Sequence, residues 1–133
     1  MDNLPRVSVI VPTRDRSKDL ADLLQTILNQ SHPPIEVIII DDSPVGSSKQ
    51  VAVSFSSKFE SVGCKLKYVE GSGDGLPAAR NLGVENSEGD AIFFLDDDTL
   101  LGQNVVSALA TFFKEETVAL GVQPKILSSE EKN

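Results

Sequence analysis

The chain has 133 residues, 40% of them hydrophobic and 24% charged, the length and balance of one globular domain able to bury a core. Its formal net charge of −8 excludes a general nucleic-acid binder, because phosphate backbones demand a basic surface. The same charge is compatible with a phosphate-bearing small molecule held through a metal ion, which reverses the sign locally.

Apolar runs and helical patterns alternate along the chain. Val7 to Val11 predicts a first strand, stopped by Pro12. Leu20, Leu23, Leu24, Ile27 and Leu28 then recur at helical spacing, with Ser17 as N-cap. Pro33-Pro34 closes that helix, and Ile35 to Ile40 forms the second strand, running straight into Asp41-Asp42. Between Gly46 and Glu60 the pattern fits both a helix face (Val51, Phe55, Phe59) and strand alternation (Val51, Val53, Phe55); length and the Ser47-Ser48 start favour a helix. Leu66 to Val69 is a short third strand, followed by the glycine-rich loop Glu70 to Gly75 and a helix with Pro77 in its first turn. After the turn Gly89-Asp90, Ala91 to Leu95 reads as a strand buried on both faces, because it is short and apolar without alternation. It ends in Asp96-Asp97-Asp98. Val105, Val106, Leu109, Phe112 and Phe113 mark another helix, Val118 to Val122 a fifth strand, and Ser128 to Asn133 a polar tail.

Such alternation implies an α/β fold, a mostly parallel sheet with helices on both faces. The domain is expected over residues 6–127, with residues 128–133 as the tail. Ligands of these sheets bind beyond the carboxyl ends of the strands. Both acidic clusters, Pro12-Thr13-Arg14 and the glycine-rich loop fall on that edge, which points to a site for a polyanion and a metal. Adjacent acids repel one another, and their oxygen donors suit a hard cation, Mg²⁺ or Mn²⁺, completed by a phosphorylated ligand. Gly71, Gly73 and Gly75 match neither a Walker loop nor the dinucleotide fingerprint, so loop flexibility is the preferred explanation for them. Arg80, just inside the following helix, could reach a diphosphate in bidentate fashion.

Other chemistries lack their residues. His32, the single histidine, lies in the turn Ser31 to Pro34, so neither a Ser/His/Asp set nor a Cys/His metal cluster is available. The single cysteine, Cys64, is expected as a buried thiol in a strand and fits a reducing, cytoplasmic setting. The polar start Met1 to Arg6 and the short apolar runs predict neither a signal peptide nor a membrane segment.

The blocks Val-Ser-Val-Ile-Val-Pro-Thr, Ile-Ile-Ile-Asp-Asp-Ser, Ala-Arg-Asn-Leu-Gly and Phe-Leu-Asp-Asp-Asp occur in that order between about Arg6 and Leu127. Together they resemble the nucleotide-sugar half of family 2 glycosyltransferases, inverting enzymes with a Rossmann-like GT-A fold. The resemblance implies a nucleoside-diphosphate sugar as donor and a hydroxyl acceptor whose identity it leaves open. It implies that Pro12, Thr13 and Arg14 contact nucleobase and ribose, that Asp42 hydrogen-bonds the base with Asp41 as its neighbouring support, and that Arg80 approaches the base or the diphosphate. Asp96 and Asp98 would form the metal-binding D-x-D motif around Asp97, with Asp96 toward the ribose, Asp97 also against the substrate, and Asp98 the principal ligand of a Mg²⁺ or Mn²⁺ ion.

Departures from the family pattern carry expectations of their own. Arg14 stands where an aromatic is common, and Ser43-Pro44 replaces a small Gly/Ser pair. The absence of tryptophan excludes the Q-x-x-R-W motif of processive relatives. After Asp98 the only acids are Glu115, Glu116, Glu130 and Glu131, so the general base that inverting transfer needs is not found. The chain therefore reads as a donor-binding domain without its acceptor region. The alternatives are a sugar-nucleotide binding module without activity, or a receiver-type phospho-acceptor domain. A receiver carries its acidic pair after the first strand, whereas Asp41-Asp42 follows the second.

Overall fold

A computed structural model describes residues 3–116. The expected fifth strand and the polar tail lie outside the described residues. Four strands, β1 (Val7–Thr13), β2 (Glu36–Asp41), β3 (Lys65–Glu70) and β4 (Ala91–Phe94), alternate with α1 (Ser17–Leu28), α2 (Lys49–Ser61), α3 (Leu76–Glu85) and α4 (Val105–Glu115). All strand pairs are parallel, in the order β3-β2-β1-β4. The α/β architecture is the one expected, and register brings Thr13 beside Asp41 and Asp41 beside Glu70 at one edge.

The sheet is covered unequally. On one face Val7, Val9, Val11, Val37 and Ile39 pack with α1, α2 and α4, burying Leu20, Leu24, Phe55, Phe59 and Val106. On the other, Ile10, Ile38 and Ile40 meet α3 through Ala79. Alternate residues of β1 and β2 thus serve opposite cores, which is why both strands are apolar without interruption. Gly83 lets α3 lie directly on β1, since a Cβ there would run into the Ile10 side chain.

Several local expectations change. Pro12 does not stop β1, which continues to Thr13; Pro12 sits opposite Ile40 in the parallel register. Arg16, not Ser17, is the N-cap of α1, and it makes no side-chain capping bond. Cys64 is buried but lies just before β3; burial pushes its thiol up to about 12. Strand β4 is not buried on both faces: Phe94 is 41% exposed, and among the described residues β4 pairs with β1 alone.

At the amino edge a buried carboxylate ties the strands together. Glu36 accepts from Ser8 Oγ at 2.6 Å and from the Glu88 backbone N–H at 2.6 Å, and it pairs with Lys67 Nζ at 2.7 Å. Burial alone would raise the Glu36 pKa, but Lys67, Ser8 and Glu88 outweigh it and hold the carboxyl below its usual range. Its stabilising contribution is therefore present above the ordinary carboxyl value and is lost as pH falls toward the folded one. Lys67→Met should cost about 2–4 kcal/mol at pH 7, because it strands a buried charge. In urea unfolding the gap between mutant and wild type should narrow on acidification below pH ~4; a gap independent of pH would exclude this account.

Candidate functional site

The triplet that ends β4 alternates out, in, out. Leu95 is buried, and its N–H donates to the Ile10 carbonyl at 2.9 Å, holding the chain against β1 as the turn begins. Asp97 then points inward and is 6% exposed, whereas Asp96 and Asp98 are exposed. Thr13 Oγ1 donates to Asp97 Oδ2 at 2.9 Å, and Arg16 Nη1 donates to Asp97 Oδ1 at 3.3 Å. Burial is the main force raising the Asp97 pKa; Thr13 and Arg16 offset only part of it. Two residues expected to contact substrate, Thr13 and Asp97, are thus buried against each other.

The second acidic cluster opens into a cleft of about 720 Å³ between the ends of β2 and β3, lined by Arg14, Asp41, Asp42, Lys49, Tyr68 and Glu70 among others. Asp41 is 3% exposed and its oxygens are occupied: Oδ1 accepts the Ser43 N–H at 2.9 Å, while Oδ2 accepts the Tyr68 hydroxyl at 2.7 Å and the Ser48 N–H at 3.2 Å. Burial would raise its pKa, but the bonds from Ser43, Tyr68 and Ser48 hold it below the usual carboxylate range. Burial and the Asp41 charge push the Tyr68 phenol up, so it stays a donor. Asp41 therefore fixes the loop that leads into α2.

Asp42 is half-buried, and its role differs. Its N–H donates to the Thr13 carbonyl at 2.9 Å, and its Oδ1 accepts the Gly73 N–H at 3.1 Å. Oδ2 has no protein donor among the described residues. The glycine-rich loop does more than flex. The Gly71 N–H donates to the Asp41 carbonyl at 2.8 Å, and a Cβ on Gly71 would collide with the Asp42 carboxylate. Thr13 joins the two clusters, since its carbonyl holds Asp42 and its hydroxyl holds Asp97.

Of the remaining expected residues, Arg14 lines the cleft, Pro12 is half-buried in β1, and Arg80 lies outside the cleft lining, with its guanidinium 5.7 Å from the Phe94 ring centroid. His32 lies between α1 and β2, away from this edge. Among the described residues no three His, Cys, Asp or Glu side chains converge as a metal site. Sequence reasoning missed Tyr68, Lys49 and Arg16, and had Glu70 only as the start of the glycine-rich loop. A tyrosine two residues before the end of a strand, beside an acidic pair, was the one usable signal.

Residues 8–133 match the family model for glycosyl transferase family 2. A glycosyltransferase of Rickettsia bellii, itself uncharacterized, is 34% identical over 112 residues, covering 83% of this chain but 15% of its own length. The crystal structure of Staphylococcus aureus TarS 1–349 superposes with a TM-score of 0.74 at 24% identity, over 90% of this chain and 38% of that one. The mannosyltransferase PcManGT from Pyrobaculum calidifontis, solved in complex with GDP-Man and Mn²⁺, gives 0.71 at 24% identity, over 85% of this chain and 32% of that one. These structures share the fold, and the chain spans less than half the length of each of these proteins. With the family blocks in order on a parallel sheet and the family model covering nearly every residue, the chain belongs to glycosyl transferase family 2.

Proposed function

We propose that the carboxyl edge of this sheet holds a nucleoside-diphosphate sugar, the donor for inverting glycosyl transfer, together with Mg²⁺ or Mn²⁺. One observation carries the reading. Thr13 couples a cleft containing an unpaired acceptor oxygen on Asp42 to a turn that exposes the carboxylates of Asp96 and Asp98. A TarS structure in complex with UDP-GlcNAc and the PcManGT complex with GDP-Man and Mn²⁺ support a nucleotide sugar as the ligand class.

In this reading Asp42 accepts from the base, Arg14 flanks it, and Arg80 reaches toward the diphosphate. Pro12 and Thr13 shape the wall beside the ribose, and Asp96 accepts from the ribose hydroxyls. Asp41 and Asp97 position these groups from below. The donor set is of the type a hard cation takes: Asp98, with Asp96 beside it, offers carboxylate oxygens, and phosphate oxygens of the donor would complete the coordination. When bound, the metal would stabilise negative charge developing on the leaving nucleoside diphosphate.

The acceptor side is left to chemistry outside this edge. Glu115 and Glu116, the described acids after Asp98, sit at the end of α4. No helix among the described residues is long and apolar enough to cross a membrane.

Three outcomes test the reading. In a thermal-shift screen of UDP and GDP, one nucleotide should stabilise the chain further when Mn²⁺ is added, as linkage requires. Asp98→Asn should remove the Mn²⁺-dependent part and leave the unliganded melting temperature in place; equal metal dependence in both proteins would reject the ligand assignment. Gly71→Ala should weaken nucleotide binding roughly tenfold, because the added methyl displaces the Asp42 carboxylate, about the effect of losing one charged hydrogen bond; unchanged affinity by calorimetry would remove Asp42 from the site. Finally, a coupled assay for nucleoside-diphosphate release should show, at most, slow donor hydrolysis by these 133 residues. Robust turnover dependent on a hydroxyl acceptor would mean that a base within the chain had been overlooked.

A further inference from the structure

Arg16 is the single cation within 4 Å of the acidic triplet among the described residues. Its Nη1 lies 3.3 Å from Asp97 Oδ1 and 3.8 Å from Asp98 Oδ2, so one guanidinium spans a buried and an exposed carboxylate. The two arms differ. The arm to Asp97 is a hydrogen bond to a side chain 8% exposed, which is also fixed by Thr13. Breaking it would leave a buried charge short of a donor. The arm to Asp98 is a longer ion pair to a side chain 61% exposed, where water and salt screen it.

We infer that Arg16 is the resident counter-cation of this turn: it neutralises Asp98 in the ligand-free chain, and a divalent metal reaches Asp98 only by displacing that weaker arm. The Asp97 arm stays, so the guanidinium remains tethered beside the vacated carboxylate. This rests on the metal reading proposed above. A guanidinium a few ångströms from a divalent ion opposes its binding, and two negative phosphates restore the balance. Metal on its own is then held weakly, and it arrives together with the diphosphate.

The test is Mn²⁺ titration of the whole chain followed by electron paramagnetic resonance, without nucleotide and then with saturating UDP. Arg16→Gln should tighten the binding of Mn²⁺ alone about fivefold, the size expected from removing one nearby positive charge at a solvent-exposed site. It should also shrink the further gain that UDP brings. Arg16→Lys, which keeps a cation, should stay within about twofold of wild type. Arg16 makes no side-chain capping bond, so neither change removes a support of α1. The double variant Arg16→Gln/Asp98→Asn should lose the gain, which separates competition at Asp98 from a general loosening of the turn. Mn²⁺ affinity unchanged or weakened in Arg16→Gln, or a gain that survives Asp98→Asn, overturns the inference. Failure of every protein to bind Mn²⁺, with or without UDP, overturns the metal reading and this inference together. Binding to wild type that is indifferent to Arg16→Gln overturns this inference alone.

Discussion

Asp41 and Asp97 each carry a carboxylate below the surface at the end of a strand, where lost hydration must be replaced by hydrogen bonds. The rest of the edge is arranged around that requirement. Asp41 takes its donors from Ser43, Ser48 and Tyr68, which draws the loop before α2 against the end of β3. Asp97 takes its donors from Thr13 and Arg16, which draws the turn after β4 against the loop after β1. Parallel register makes both possible, because it brings the ends of β1, β2 and β3 level. Each cluster then sets more open carboxylates beside the buried one: half-buried Asp42 next to Asp41, and exposed Asp96 and Asp98 next to Asp97.

Much of this was legible in the chain. The apolar runs Val7 to Val11, Ile35 to Ile40 and Ala91 to Leu95 read as strands, and the acids directly after the last two had to lie on a common edge once the sheet was parallel. The helices followed from apolar spacing, and Ser48 stands at the N-cap position of α2, though without a side-chain capping bond. Three features were out of reach. The apolar composition of β4 resembles that of β2, and nothing local records that among the described residues it has one neighbour instead of two. In Asp96-Asp97-Asp98 the inward member is decided by the turn and by Thr13, which is 84 positions away from Asp97. Arg16 carries no local signal of its role, because its partner Asp97 lies 81 positions along the chain.

The glycine-rich loop shows how such a segment can be misread in a second way. Flexibility accounts for glycines in general, yet Gly71 is required by space: the loop passes so close to Asp42 that no side chain fits. The following backbone N–H of Gly73 then takes one oxygen of the same carboxylate. A loop that resembles a phosphate cradle in composition instead orients a carboxylate, and one of its oxygens is left for other partners.

The cluster of Ser8, Glu36, Lys67 and Glu88 lies at the end of the sheet opposite these loops. It clamps β1, β2 and β3 to the turn before β4, and it shares no side chain with the cleft. The clamp and the cleft therefore lie at different ends of the same strands. The loops at the carboxyl edge can vary while the amino-edge clamp keeps the strands in register. A change in the cleft is thereby decoupled from the stability of the strands that carry it.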